Sequence, residues 1–180
     1  MRVIAGEAKG RQLVVPKGGG TRSATDRIRE TLFAILEPVL DGAVVLDLFA
    51  GAGTLGIEAL SRGASRATFV EQAAPAIAAL RKNLEVTGFT ARSTVVRSDV
   101  LRFLDGPVTA DIAFCDPPFA DVDAHSAALA KLAAPGRLVV ARALRKHLPR
   151  IPDTLRVTRA REIGEETLLL LDYSGKAPGG

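Results

Sequence analysis

Apolar residues along this chain alternate between two periods. Compact runs rich in β-branched side chains predict buried strands beginning at Val44-Val45-Leu46-Asp47 and at residues 66–71, 93–96, 110–115 and 138–141. Between them, apolar positions recur at helical spacing. Ile28, Leu32, Ile35, Leu36 and Val39 predict the buried face of a helix that opens near Ser23, with Asp26 as its capping partner. Ile77, Leu80 and Leu84 predict a helix that Pro75 opens and Gly88 ends; residues 123–133 predict another. Residues 155–159 and 167–172 have the pattern of a terminal hairpin around Gly164. This alternation implies a doubly wound α/β sheet with right-handed crossovers, closed by an antiparallel strand.

The two ends differ from the middle. Residues 2–4 and 11–15 are short apolar pieces around Ala5-Gly6-Glu7-Ala8-Lys9-Gly10, a small β-hairpin pattern, followed by the glycine-rich stretch Pro16-Lys17-Gly18-Gly19-Gly20-Thr21. The expected sections are a basic hairpin extension and flexible loop over 1–22, the main domain over 23–173, and a disordered tail over 174–180.

Composition narrows the class. The 180 residues suffice for one well-buried domain, and 47% hydrophobic content without a membrane-spanning stretch predicts a soluble globular protein. No basic leader with an apolar core opens the sequence, which points to the cytoplasm. A single cysteine, Cys115, excludes an intramolecular disulfide, and His125 and His147 are too few for an ordinary zinc site. No metal is expected, and both histidines are expected at the surface. Net charge is +4 but unevenly placed: seven basic residues face three acidic ones in 1–30, eight face twelve in 31–136, and eight face one in 137–161. An acidic centre between basic flanks fits a small-cofactor site framed by surfaces that meet a polyanion; solvated basic faces are the plainer alternative.

The glycines after the first strand carry the first chemical signal. Gly51, Gly53 and Gly56 have the spacing G-x-G-x-x-G, and Glu71 lies twenty residues beyond Gly51. Glycine there lets a nucleotide-like cofactor approach the backbone. The spacing fits both a dinucleotide and S-adenosylmethionine, and Asp47 separates them on charge. A carboxylate at that strand end repels a pyrophosphate and attracts the sulfonium and amino group of S-adenosylmethionine. Glu71, ending the second strand, suits the ribose hydroxyls, and Asp99, after the third, suits the adenine amine. Each acid singly is equally well read as a turn or capping residue.

Asp116-Pro117-Pro118-Phe119, directly after the fourth strand, is the most specific signal. Two prolines fix φ and remove two donors, so the corner offers the Asp116 side chain and the Pro117 carbonyl as rigidly placed acceptors. An exocyclic amine on a nucleobase is a poor nucleophile because its lone pair is delocalised. Two acceptors on its two N–H groups favour a pyramidal nitrogen aimed at a methyl sulfonium, while Phe119 stacks on the base. Cys115 reads as a small buried neighbour of this corner.

With the stretch Thr25-Asp26-Arg27-Ile28-Arg29-Glu30-Thr31-Leu32-Phe33, the glycine turn and the Asp-Pro-Pro-Phe corner resemble the bacterial RsmD-type 16S rRNA guanine-N2 methyltransferases. The resemblance runs to about Phe119 and continues more weakly beyond it. It implies a Rossmann-like class I methyltransferase fold, with a mostly parallel seven-stranded sheet and a small N-terminal hairpin. It implies S-adenosylmethionine as cofactor, and as acceptor a guanine of 16S rRNA within the small ribosomal subunit or its assembly intermediate. Asp116, Pro117 and Phe119 are then the catalytic corner; Asp47, Phe49, Gly51, Gly53, Glu71 and Asp99 hold the cofactor. One departure is visible. Relatives often carry an acidic residue after the fifth strand, where this chain has Val140-Ala141-Arg142-Ala143-Leu144-Arg145-Lys146.

Arg11, Lys17, Arg22, Arg27, Arg29, Pro118, Arg142 and the segment to residue 150 are expected to contact the RNA. The chain is expected to act as a monomer away from membranes. An adenine-N6 or other amino-methyltransferase of DNA or RNA shares the same corner. A nicotinamide-dependent oxidoreductase and a non-catalytic RNA-binding module are the readings from other classes.

Overall fold

The computed structural model describes residues 1–16, 26–134 and 136–175. Lys17, Arg22, Ser23, Thr25, most of the glycine-rich stretch and the tail from residue 176 lie outside them. Helix α1 spans Asp26–Leu40, followed by β1 (Val44–Leu48), α2 (Thr54–Ser61), β2 (Arg66–Glu71) and α3 (Ala74–Thr87). Then come β3 (Ser93–Arg97), α4 (Val100–Phe103), β4 (Ile112–Cys115), α5 (Val122–Leu132), β5 (Leu138–Leu144), β6 (Leu155–Ile163) and β7 (Glu166–Tyr173). The seven strands form one sheet in the order β3-β2-β1-β4-β5-β7-β6. β1 to β5 pair in parallel, whereas β7 runs antiparallel between β5 and β6. Strand order reverses between β1 and β4, so a crevice forms there at the carboxyl ends, where open α/β sheets bind ligands.

Each face of the sheet has its own apolar layer. Ile28, Leu32, Phe33, Leu36 and Leu40 of α1 pack with α2, α3 and one sheet face; Phe33 meets Phe114 edge-on, ring centroids 5.9 Å apart. Val100, Leu104, Ala128, Leu129 and Leu132 cover the other face. The buried row of α1 therefore ends on Leu40, and Val39, expected inside, is 53% exposed. His125, expected at the surface, is buried on the same stripe of α5 as Ala128, Leu129 and Leu132. Cys115 is buried, as the sequence suggests.

Residues 1–13 form a short hairpin, as expected: Val3 N donates to Arg11 O at 3.0 Å, Gly10 N to Val3 O at 2.9 Å and Leu13 N to Met1 O at 2.8 Å. Arg2 and Gln12 make an isolated bridge, and other backbone groups turn to the main domain. The buried Glu58 carboxylate accepts Ile4 N at 2.8 Å and Ala5 N at 3.0 Å. Asn83 accepts Val14 N at 2.8 Å and donates to Val14 O at 2.9 Å. Gly6 sits so close to α2 that a Cβ there would lie 1.7 Å from Ser61 O. The extension is a strap on α2 and α3. Two strands outrun their expected limits. β5 continues to Leu144 because Arg142, Ala143 and Leu144 pair with Leu168, Thr167 and Glu166 of β7, and β6 reaches Ile163 along an exposed edge that offers no apolar alternation to read.

Candidate active site

Register aligns the carboxyl ends of the central strands. Leu48 pairs with Val70 of β2 and Cys115 of β4, and Cys115 with Ala141 of β5. The residues that follow, Phe49, Glu71, Asp116 and Arg142, therefore stand at one level; Phe49 and Asp116 leave the sheet there, Glu71 ends β2, and Arg142 continues within β5 opposite Leu168 of β7. Phe49 leaves it with a positive φ of 57°, a conformation uncommon for a non-glycine residue.

The glycine turn is built by carboxylates that accept backbone N–H groups. Glu71 Oε2 accepts Gly51 N at 2.8 Å, and its Oε1 accepts Gln72 N and Ala73 N, each at 2.8 Å. Asp47 Oδ2 accepts Gly56 N at 2.9 Å, at the start of α2. Asn83 donates to Ala52 O at 2.9 Å, which ties the N-terminal strap to the same turn; the sequence pattern gives no sign of this.

The three glycines have different tasks. A Cβ on Gly51 would meet nothing nearer than Phe49 O at 4.0 Å, so this residue opens outward. A Cβ on Gly53 would lie 2.2 Å from Leu80 Cδ1, and one on Gly56 2.3 Å from Phe69 Cε1. Gly53 and Gly56 thus let α2 close onto the sheet, and Gly51 is the one that leaves room for a ligand.

Asp47 is 2% exposed and makes no ion pair among the described residues. Burial pushes its carboxyl well above the usual range; the Gly56 N–H opposes this, and the charges of Asp116 and Glu71 add to it. Three carboxylates thus converge on the crevice beside an uncovered glycine. That donor set fits a cationic group and repels a phosphate. Asp99 is exposed and accepts Arg102 N at 3.0 Å, as the N-cap of α4.

On the other side of the switch point, Asp116 is half-buried, Pro117 buried, Pro118 exposed and Phe119 half-buried. Arg142 Nε and Nη2 donate to Asp116 Oδ1 and Oδ2, both at 2.8 Å, and Arg142 Nη1 donates to Glu166 Oε2 at 2.9 Å. The same guanidinium lies 4.9 Å from the Phe119 ring centroid. Burial raises the Asp116 carboxyl and Arg142 pulls it back, leaving it above the usual range. Burial works against the Arg142 charge, but Asp116 and Glu166 overcome it. His125 is held neutral by burial, its pKa lowered to about 4 against the opposing bond to the Cys115 backbone.

Two expected phosphate contacts are corrected. Arg29 is fully buried, bonded to Asp26 at 2.7 Å, Arg2 O at 2.9 Å and Glu58 at 3.5 Å. Arg142 is 6% exposed and committed to the carboxylates. Each charge is taken up inside the protein, so neither guanidinium faces a phosphate. Arg11 and Arg27 are exposed, and Lys17 and Arg22 lie outside the described residues. Beyond Arg142, Leu144, Arg145, Lys146, His147 and Leu148 line a cavity of about 870 Å³ with β6 and β7. Among the described residues no cluster of His, Cys, Asp and Glu could hold a metal, and no helix is long and apolar enough to cross a membrane.

A mostly parallel sheet with this strand order, a glycine turn after β1 and an Asp-Pro-Pro-Phe corner after β4 defines a Rossmann-like class I methyltransferase fold. The chain belongs to the family described as "Conserved hypothetical protein 95", whose model matches residues 1–172, the RsmD-type family that its motifs resemble. It is similar to the ribosomal RNA small subunit methyltransferase D of Escherichia coli, 47% identical over 120 residues, covering 66% of this chain and 60% of that protein. The protein of the same name from Haemophilus influenzae is 41% identical over 123 residues, covering 66% of this chain and 64% of its own length. These alignments span less than two thirds of either relative. The solved structure of the Escherichia coli protein yhhF superposes at a TM-score of 0.85 and 34% identity, covering 98% of this chain and 99% of that one.

Proposed function

We propose that this protein transfers a methyl group from S-adenosylmethionine to the exocyclic N2 amine of a guanine in 16S rRNA, acting as a cytoplasmic monomer on the small ribosomal subunit or its assembly intermediate. The observation that carries the reading is the Asp116-Pro117-Pro118-Phe119 corner, level with a cation-favouring turn on this family's scaffold. The names of the relatives supply the substrate class.

The bound cofactor supplies a methyl group on a sulfonium. Asp47, Phe49, Gly51, Gly53, Glu71 and Asp99 would hold it: the Asp47 carboxylate would favour its positive charge, Glu71 would accept from ribose hydroxyls and Asp99 from the adenine amine, while Gly51 would leave room beside Phe49 and Gly53 would let the turn close. Asp116 and the Pro117 carbonyl each accept one N–H of the target amine, which turns the nitrogen lone pair toward the methyl carbon. The N–C bond forms as the C–S bond breaks, and the proton left on nitrogen goes to Asp116 or to water. Phe119 stacks on the base, which must first leave its own stack because its amine cannot reach the donor within one. Pro118, Arg11, Arg27, Arg145 and Lys146 are exposed or border the cavity beside β5, and they suit contact with the RNA.

Donor carrying a tritiated methyl group, offered with small subunits, naked rRNA and DNA in separate reactions, tests the reading. Label in guanine N2 of small-subunit rRNA is the expected result; label in DNA adenine instead would overturn it. Asp116→Ala is expected to lower transfer by at least about a thousandfold while donor binding, measured by calorimetry, changes little.

A further inference from the structure

Arg142 was expected on the RNA-facing surface, yet it is among the most committed side chains of the molecule. Its backbone follows Ala141, the register partner of Cys115, so Arg142, still within β5 and paired with Leu168 of β7, stands level with Asp116 at the end of β4. Across the antiparallel pair, Leu144 faces Glu166, which sets Glu166 diagonal to Arg142 on the same side of the sheet. The guanidinium then meets three groups at once. Its Nε and Nη2 edge matches both oxygens of Asp116 at 2.8 Å, its Nη1 reaches Glu166 at 2.9 Å, and its plane lies over Phe119 at 4.9 Å.

Stability alone gives a weak reason for such an arrangement. Desolvating one guanidinium and two carboxylates is costly, and a well-packed apolar side chain is usually as stable in such a place. What the guanidinium supplies, and an apolar side chain cannot, is a fixed plane. A two-pronged grip leaves each Asp116 oxygen one lone pair in a set direction, and the guanidinium over one face of the half-buried Phe119 fixes which face would stack on a base.

We propose that Arg142, tethered by Glu166, is a positioning residue that sets the Asp116 carboxylate and the Phe119 ring in the orientation the target amine and base require. The proposal rests on the role given to Asp116 under the proposed function. Its electrostatic consequence involves every group facing that carboxylate. Asp47 on β1 and Glu166 on β7 are acidic, Arg142 on β5 is the cation, and Cys115 on β4 is a thiol that burial and Asp116 keep protonated. His125 on α5, held against the Cys115 backbone, stays neutral. Loss of Arg142 removes the cation that opposes burial, so Asp116 holds its proton to higher pH. Activity that needs the carboxylate is then lost earlier as pH falls.

The test compares the full chain with Arg142→Met, Arg142→Lys, and Arg142→Met combined with Glu166→Gln, which avoids leaving two unpaired carboxylates. Thermal unfolding and calorimetric binding of S-adenosylhomocysteine establish that each variant is folded. In the Met variants kcat is expected to fall about 10- to 100-fold, because a small misplacement of a reacting group is enough for that loss, with KM for the donor little changed. The acidic limb of the kcat profile is expected to move up by roughly one pH unit in Arg142→Met, corresponding to loss of one nearby charge, and by less in the double variant, which also loses the Glu166 charge that raises Asp116. Arg142→Lys restores the limb but only part of kcat, since an ammonium carries the charge without the planar fork. Unchanged kcat and an unchanged limb in a folded Met variant overturn the proposal and leave the proposed reaction standing.

A readout without turnover separates the two ideas. Carbon-13 NMR of the Asp116 side-chain carboxyl gives its titration directly. An upward shift in the Met variants supports Arg142's hold on that group even if the wild-type protein methylates no RNA, a result that would overturn the proposed function alone. No shift overturns the hold, whatever the protein methylates.

Discussion

On the β1 to β3 side of the switch point, each acid at or near a strand's carboxyl end is held by backbone amides: Asp47 by Gly56, Glu71 by Gly51, Gln72 and Ala73, and Asp99 by Arg102. On the β4 to β7 side, Asp116 is held by the Arg142 side chain, itself held by Glu166. A backbone-held carboxylate is fixed by the turn or helix start whose amides it accepts, as Glu71 is by Gly51 of the glycine turn, and shares the rigidity of that segment. A carboxylate held by a side chain depends on two strands separated in the chain by a helix, β4 and β5, meeting in register. The first arrangement suits a site that only has to receive a ligand. The second couples the orientation of the reacting group to its charge, because the cation that aims Asp116 also keeps its proton off.

Glu71→Ala breaks the first arrangement most severely. Three amides lose their shared acceptor at once, and Gly51 is one of them. A hydrogen bond to a charged acceptor contributes about 1.5–3 kcal/mol, and partial exposure discounts the total, so unfolding by denaturant is expected to show a loss of about 2–4 kcal/mol. Calorimetry is expected to find donor affinity at least about tenfold weaker, one tenfold step being about 1.4 kcal/mol. An unchanged midpoint and affinity would mean that the turn holds its shape without Glu71, and the contrast between the halves would fail.

The same contrast explains how much of the molecule is legible in its sequence. The strands, the glycine turn and the acids near strand ends are local patterns; the Asp47 partner Gly56 lies nine residues on, and Gln72 and Ala73 follow Glu71 directly, although its third partner, Gly51, is 20 residues away. Spacing cannot show which side of a turn a missing Cβ faces, so Gly53 reads as a ligand contact although it makes room for Leu80, as Gly56 does for Phe69. Arg29 and Arg142 read as surface charges because their partners are remote in the chain: Glu58 lies 29 residues from Arg29, and Asp116 lies 26 residues from Arg142. Those contacts exist only once the sheet has assembled. His125 had a usable signal, since 125, 128, 129 and 132 are the spacing of a buried helix stripe, masked by the polarity of the ring.

His125 also sharpens the comparison through pH. Its folded pKa is about 4, below the ordinary value of about 6.5. Between those values the unfolded chain binds a proton that the folded protein refuses, so this residue's contribution to stability rises with pH across the window and is lost on acidification. Asp47 and Asp116, both raised, act in the opposite direction, but equally in wild type and in His125→Gln. The difference between the two proteins, followed by urea unfolding from pH 4.5 to 6.5, isolates the imidazole. The wild type is expected to lose about 2 kcal/mol more than the variant over that range. Parallel curves would show that the ring accepts its proton inside the fold.

The smallest expected effect tests the plainest of the backbone-held acids. Asp99 is exposed, and its visible partner is Arg102 N, the cap bond of the four-residue helix α4. Asp99→Ala removes that bond and is expected to lower stability by about 1 kcal/mol. Asp99→Asn keeps a capping oxygen, so it is expected to restore most of that stability. Removing its charge is expected to weaken donor binding several-fold if the second oxygen meets the adenine amine, since an amide oxygen is a poorer acceptor than a carboxylate. The Asn variant thus separates the cap from the contact, because only the contact depends on the charge. If the Asn variant binds the donor like wild type, Asp99 is a helix cap and the adenine edge is recognised elsewhere on the β1 to β3 side.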